Sequence, residues 1–143
     1  MPINDDIIFR TKGWDKILIN VIENKGKGWG IAYGDDCTNN HRYNLPTFGL
    51  VSGNIVRTLG YIYPRELLAL FGDTFLLDIG RAIGKLFYCP DVIIEHKRVI
   101  DDINDPRASR FFEKNERLAY ANYIDNNLDK DIAKIFDAIC TVV

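Results

Sequence analysis

Residues 70–98, LFGDTFLLDIGRAIGKLFYCPDVIIEHKR, decide the fold class. In the first half Phe75, Leu76, Ile79, Ile83 and Leu86 recur at helical spacing and share one face. Asp73 stands where an N-cap would satisfy a free backbone N–H. From Leu86 the run LFYCPDVIIEHKR is β-rich and leaves its polar residues at its end. A helix that feeds directly into a strand predicts an α/β chain.

Working outward, the upstream sequence supplies more strands and one long helix. Ile3 to Phe9 reads as a short buried strand interrupted by Asp5 and Asp6, and TKGWDKILINVIEN (11–24) as a turn into a helix. Trp14, Ile17, Leu18, Val21 and Ile22 give that helix its apolar face, and NKGKG ends it with glycines that tolerate left-handed angles. WGIAYGDD (29–36) is a compact strand ending in a second acidic pair, expected beside the first. Residues 37–64 predict an irregular segment lining a cleft, with TFGLVS a strand and GNIVRTLG a short helix. Beyond about Asp105 the pattern predicts a tail of two amphipathic helices. The second carries Leu128, Ile132, Ile135, Phe136 and Ile139 on one side, to pack on the sheet or on a partner. No repeat or linker divides residues 1–143.

Composition narrows the function classes. With 143 residues, 47% of them hydrophobic, the chain has ample material for one core. Eighteen basic against 20 acidic residues create no field for nucleic acid or an anionic membrane. No stretch approaches the roughly 20 apolar residues of a membrane span, and the N-terminus lacks a signal-peptide pattern, so a cytoplasmic protein is expected. Cys37, Cys89 and Cys140 are odd in number and widely spaced, and read as buried reduced thiols. KGKGWG lacks the pattern of a phosphate-binding loop.

Clustered carboxylates and a late histidine carry the chemical interest. Mg²⁺ and Mn²⁺ take hard oxygen ligands, and Mn²⁺ accepts imidazole, so Asp5, Asp6 and His96 can be read as a ligand set. The same residues also read as a cap for the helix around Trp14 and a surface histidine. Asp35 and Asp36, at the end of a strand, lie where α/β proteins gather ligands, or form a turn. Asp73 is a helix cap or a base held at a helix start, and His41 a loop residue.

Taken in order, NDDIIFRTKGWD (4–15), GIAYGDD (30–36), LPTFGLVSGNIVRTLGYIYP (45–64) and the stretch 70–98 resemble the second half of a GT-A type nucleotide-sugar glycosyltransferase. The likeness is to the family-2-like inverting enzymes of bacteria and their viruses, and runs from Ile3 to Arg98. It implies a partial GT-A, Rossmann-like half-domain: a small mixed sheet flanked by helices, with residues 105–143 a helical tail. It also implies that Asp5 and Asp6 hold Mn²⁺ or Mg²⁺ and the donor phosphates, although Asn4-Asp5-Asp6 departs from a strict DxD. His96 would be a late metal ligand, and Asp73 the base that deprotonates an acceptor hydroxyl. Asp35, Asp36, Ser52 and Asn54 would wall the acceptor.

In that family the acidic motif lies about a hundred residues into the domain, whereas here it lies at residue five. The expectation is therefore a half-domain complemented by a second polypeptide carrying the front half, or one that self-associates over an open sheet edge. The alternative is a non-catalytic oligomeric interaction module built from the same half-domain.

Overall fold

The computed structural model describes residues 1, 6–38, 45–67, 70–97 and 110–141. Four strands form a mixed sheet in the order β1-β4-β2-β3: β1 (Ile7–Phe9), β2 (Ile31–Asp35), β3 (Leu50–Val51) and β4 (Leu86–His96). Helix α1 (Trp14–Gly26) joins β1 to β2; α2 (Gly53–Leu59) and α3 (Gly72–Ala82) stand between β3 and β4. The α/β expectation holds, with a small mixed sheet flanked by helices.

Alternation along β2 explains why both faces are covered. Successive strand residues point to opposite sides, so Ile31 enters one apolar cluster with Phe75, Leu76 and Ile79 of α3, while Ala32 enters another with Leu18 and Ile22 of α1. All seven of these side chains are at most 4% exposed. Truncating one of the large ones would cost about 3–5 kcal/mol.

β4 has two neighbours in succession. Leu86, Phe87 and Tyr88 run parallel to Ile31, Ala32 and Tyr33 of β2, whereas Ile94, Glu95 and His96 run antiparallel to Phe9, Ile8 and Ile7 of β1. Between these segments the register slips, with Tyr33 opposite Tyr88 but Asp35 opposite Ile93. Pro90, which has no N–H to give a ladder, falls in the irregular part. Gly34 makes the slip possible, because a Cβ there would stand 2.2 Å from the Val92 carbonyl oxygen.

The tail is one helical run with a wide turn in it. α4 (Arg110–Tyr123) passes through a π-helical segment, Ile124–Leu128, into α5 (Asp129–Thr141). A buried carboxylate fastens it to the core: Asp131 accepts hydrogen bonds from the hydroxyls of Tyr61 and Tyr123 and pairs with Lys134 at 2.9 Å. Burial first, and then donation to Asp131, pushes the Tyr61 hydroxyl up to about 12, so it remains a donor at neutral pH. Tyr120 adds a second tie through its hydroxyl to Asp78 of α3.

Several sequence expectations need correction. The left-handed residue ahead of α3 is Phe71, at φ 63°, so Asp73 lies inside the first turn and is not the N-cap. Leu86 belongs to β4 and not to the helical face. The strand expected over TFGLVS shrinks to Leu50–Val51. Phe136 is 43% exposed, at the edge of the α5 face that buries Ile135. Of the thiols only Cys89 is buried; Cys37 and Cys140 are exposed. Ile3 and Asp5 lie outside the described residues, as does the first part of the tail. Among the described residues no helix is long and apolar enough to cross a membrane.

The Asp131 cluster sets a pH dependence. Burial alone would raise its carboxyl, but the phenols of Tyr123 and Tyr61 and the Lys134 ammonium outweigh it and hold the group below its ordinary 3.8. This stabilisation is complete above that ordinary value and is lost as pH falls through the lower folded one. Asp131→Asn should cost about 1–3 kcal/mol at pH 7 and flatten the acid limb of stability measured by urea denaturation at successive pH values. An unchanged acid limb would contradict this role.

Candidate functional site

The parallel pairing of β2 with β4 brings their carboxyl ends to one edge, and the antiparallel β1 begins there. The His96 N–H donates to the Asp36 carbonyl at 3.0 Å, and the Lys97 N–H to the Asp6 carbonyl at 2.7 Å. Two side chains 90 positions apart then meet: His96 Nε2 lies 3.0 Å from Asp6 Oδ2. The edge of the Phe48 ring packs on the imidazole with centroids 5.2 Å apart. His96 is therefore held by its backbone, by one ring face and by one ring nitrogen.

Two polar atoms of this pair are left over. Asp6 Oδ1 and His96 Nδ1 are buried, and among the described residues neither has a hydrogen-bond partner. An unsatisfied buried polar atom costs about 1–3 kcal/mol, and its persistence at one site points to a missing partner such as water or an ion. The donor set suits a hard or borderline divalent cation, one carboxylate and one imidazole. The 3.0 Å contact joins Nε2 and Oδ2 and is of hydrogen-bond length, so a cation on those two atoms would replace that bond. Among the described residues no third His, Cys, Asp or Glu completes a group of three. Such a cation would draw its remaining ligands from water, from substrate phosphates or from Asp5, which lies outside the described residues. The helix-cap reading of Asp6 fails, since the N-cap of α1 is Gly13 and no side chain caps the helix.

The second acidic pair shapes a turn. Asp35 Oδ1 accepts the Cys37 N–H at 2.8 Å, which helps to hold Cys37 at φ 62°. Asp36 is 4% exposed; one of its oxygens accepts the N–H and hydroxyl of Thr38, and the other accepts the Thr47 hydroxyl at 2.9 Å. That carboxylate is committed internally, and it fixes both the carbonyl that holds His96 and the segment bearing Phe48. Sequence reasoning missed Thr38, Thr47 and Phe48, since single hydroxyls and one ring in an irregular segment carry no periodic signal. Glu95, beside His96, is held below the usual carboxylate range by hydrogen bonds from Arg10 and then Lys97.

The other expected site residues are placed elsewhere. Ser52 accepts the Ile55 N–H as the cap of α2, and its own N–H donates to Gly30 at the start of β2. Asn54 donates to the Gly28 carbonyl at 2.9 Å. From Gly30 to Asp36 is six strand steps of about 3.3 Å, so Ser52 and Asn54 lie about 20 Å from His96. Asp35, Asp36, Ser52 and Asn54 thus do not form one wall. Asp73 accepts the Thr74 N–H at 2.8 Å. It opens α3, which packs on the face opposite the cluster that carries Phe48 and Ile94. Its charge helps raise the hydroxyls of Tyr63 and Tyr120, for which burial is the larger cause. His41 lies outside the described residues.

No family model, curated protein or solved structure matches the chain.

Two substitutions test how the site is held. Gly34→Ala forces β4 off the Val92 carbonyl and should cost about 1–3 kcal/mol; Thr47→Val should cost about 1 kcal/mol. Both should also move the His96 imidazole resonances in two-dimensional NMR, a shift that an equally destabilising core change such as Ile135→Val should not reproduce.

Proposed function

We propose that the chain carries the cation site of an inverting, GT-A type glycosyltransferase, moving a sugar from a nucleotide-sugar to an acceptor hydroxyl. One observation carries the reading: Asp6 and His96, from the two ends of the first hundred residues, meet at 3.0 Å with one buried, unsatisfied atom each. The order of motifs from Ile3 to Arg98 and the mixed α/β sheet are in keeping with it.

In this reading Asp6 and His96, with Asp5, would hold Mn²⁺ or Mg²⁺ beside the diphosphate of the donor. When bound, the cation offsets the charge that develops on the leaving nucleoside diphosphate. Asp73, the base that the resemblance implies, opens α3 on the other face of the sheet from this pair, and taking the proton of an acceptor hydroxyl there would need the acceptor to approach around the sheet edge. Asp36 does not touch the acceptor here; it positions His96 through its carbonyl and through the Thr47–Phe48 segment. Among the described residues β1 is an edge strand with Phe9 39% exposed, so a further strand bearing base and ribose contacts could be added there.

Calorimetric titration of a mixed panel of nucleotide-sugars should show binding that needs Mn²⁺ and weakens at least about tenfold in Asp6→Ala and in His96→Ala. Asp73→Asn, on the other face of the sheet, should leave that binding intact. Metal-independent binding, or both Ala variants behaving as wild type, would leave the non-catalytic module as the better account.

A further inference from the structure

A groove of about 380 Å³ lies at the opposite end of the sheet from the Asp6–His96 pair, within the usual size range of ligand sites. α1 forms one wall, the outer edge of β3, the last strand of the sheet among the described residues, another, and the start of α2 the third. Along α1 the lining residues Ile19, Ile22, Glu23 and Lys27 span eight positions, about 12 Å. That is the length of three or four extended residues.

The two ends of the groove differ. Ile19, 47% exposed, and Ile22 stand on the α1 wall at the apolar end. At the other end, where α1 stops, Asn54 donates to the Gly28 carbonyl and accepts from Arg57 Nη2 at 2.6 Å, so the guanidinium is braced beside Lys27 and Gly28. The Glu23 carboxylate stands at this same end, beside Gly28 and Asn54, so Lys27 and Arg57 against it leave one net positive charge there. The floor carries a backbone edge. Because the Ser52 N–H bonds to Gly30, the neighbouring pair Val51–Ile31 is of the non-bonded kind, and the Val51 N–H and C=O point away from β2 toward the open side. Ile31 confirms the parity, since its N–H goes to Lys85 on the β4 side.

We propose that this groove binds the last three or four residues of an extended peptide with an apolar C-terminal sequence. The peptide pairs with the Val51 N–H and C=O as an added strand and lays an apolar side chain on Ile19, Ile22 and Leu50. It places its terminal carboxylate between Arg57 and Lys27. A single carboxylate matches the one net positive charge, which disfavours a polyanion. Strand addition beside a helix is a recurring way of reading peptide ends. The groove is independent of the cation site.

The test is a titration of the ¹⁵N-labelled full chain with acetyl-Ala-Leu-Val-Leu, its C-terminal amide, and free hexanoate. The proposal expects saturable shifts confined to 19–28 and 50–57, binding at least about tenfold weaker for the amide and for Arg57→Gln, and unchanged binding for His96→Ala. No saturation at millimolar peptide, equal affinity for acid and amide, or hexanoate binding as tightly as the peptide would each overturn it. Dichroism of Arg57→Gln establishes that the variant is folded, and Lys27→Gln provides the second arm if it is not.

Discussion

The double pairing of β4 is the constraint on which the rest depends. A strand that stayed in register with β2 would carry His96 past the Asp36 turn; one that paired with β1 alone would leave Ile31 and Ala32 uncovered on one edge. The slip between Tyr88 and Ile93 reconciles the two, and it requires that position 34 have no side chain. Gly34, Pro90 and the Val92 carbonyl therefore set the position of an imidazole several residues away. A backbone irregularity beside a functional site is a common device for aiming a side chain.

From this constraint the site follows by short steps. The parallel segment aligns the carboxyl ends of β2 and β4; the antiparallel segment turns β1 so that its first residues reach the same edge. Asp36, buried and saturated by hydroxyls and an N–H, locks the turn behind His96, while Phe48 limits the tilt of its ring. His96, at the end of β4, is thus held from several sides, and Asp6, just ahead of β1, meets it through Nε2. The tail helices act at a distance from it. Their tie is the Asp131 cluster, which gathers Tyr61, Tyr123 and Lys134 over the α3 face.

Much of the fold was legible because periodicity is a local property. α1, α2, α3 and the start of β4 were read from apolar spacing, and Ser52 and Gly60 bound α2 as cap residues should. Other features depended on partners the sequence does not name. Asp73 looks like a cap, yet Phe71 takes the left-handed position ahead of it, and only tertiary packing against Tyr120 explains an aromatic ring there. Phe136 looks like part of the stripe but is 43% exposed, because at 100° per residue it falls at the margin of the face made by Ile132, Ile135 and Ile139. The meeting of Asp6 with His96 was anticipated from motif order; the separation of Ser52 and Asn54 from it was not, since strand direction is invisible until β3 is known to run back along β2.

The central claim is that one divalent ion is shared by Asp6 and His96. Titrating the ¹⁵N-labelled protein with Mn²⁺, with Mg²⁺ as the diamagnetic reference, addresses it directly through paramagnetic broadening. The account predicts that the His96 imidazole and the amides of Asp6, Ile7 and Phe48 broaden first, while those of Val51 and Ile55, about 20 Å away along the sheet, persist. Uniform broadening, or broadening centred on any other carboxylates with His96 spared, would contradict it.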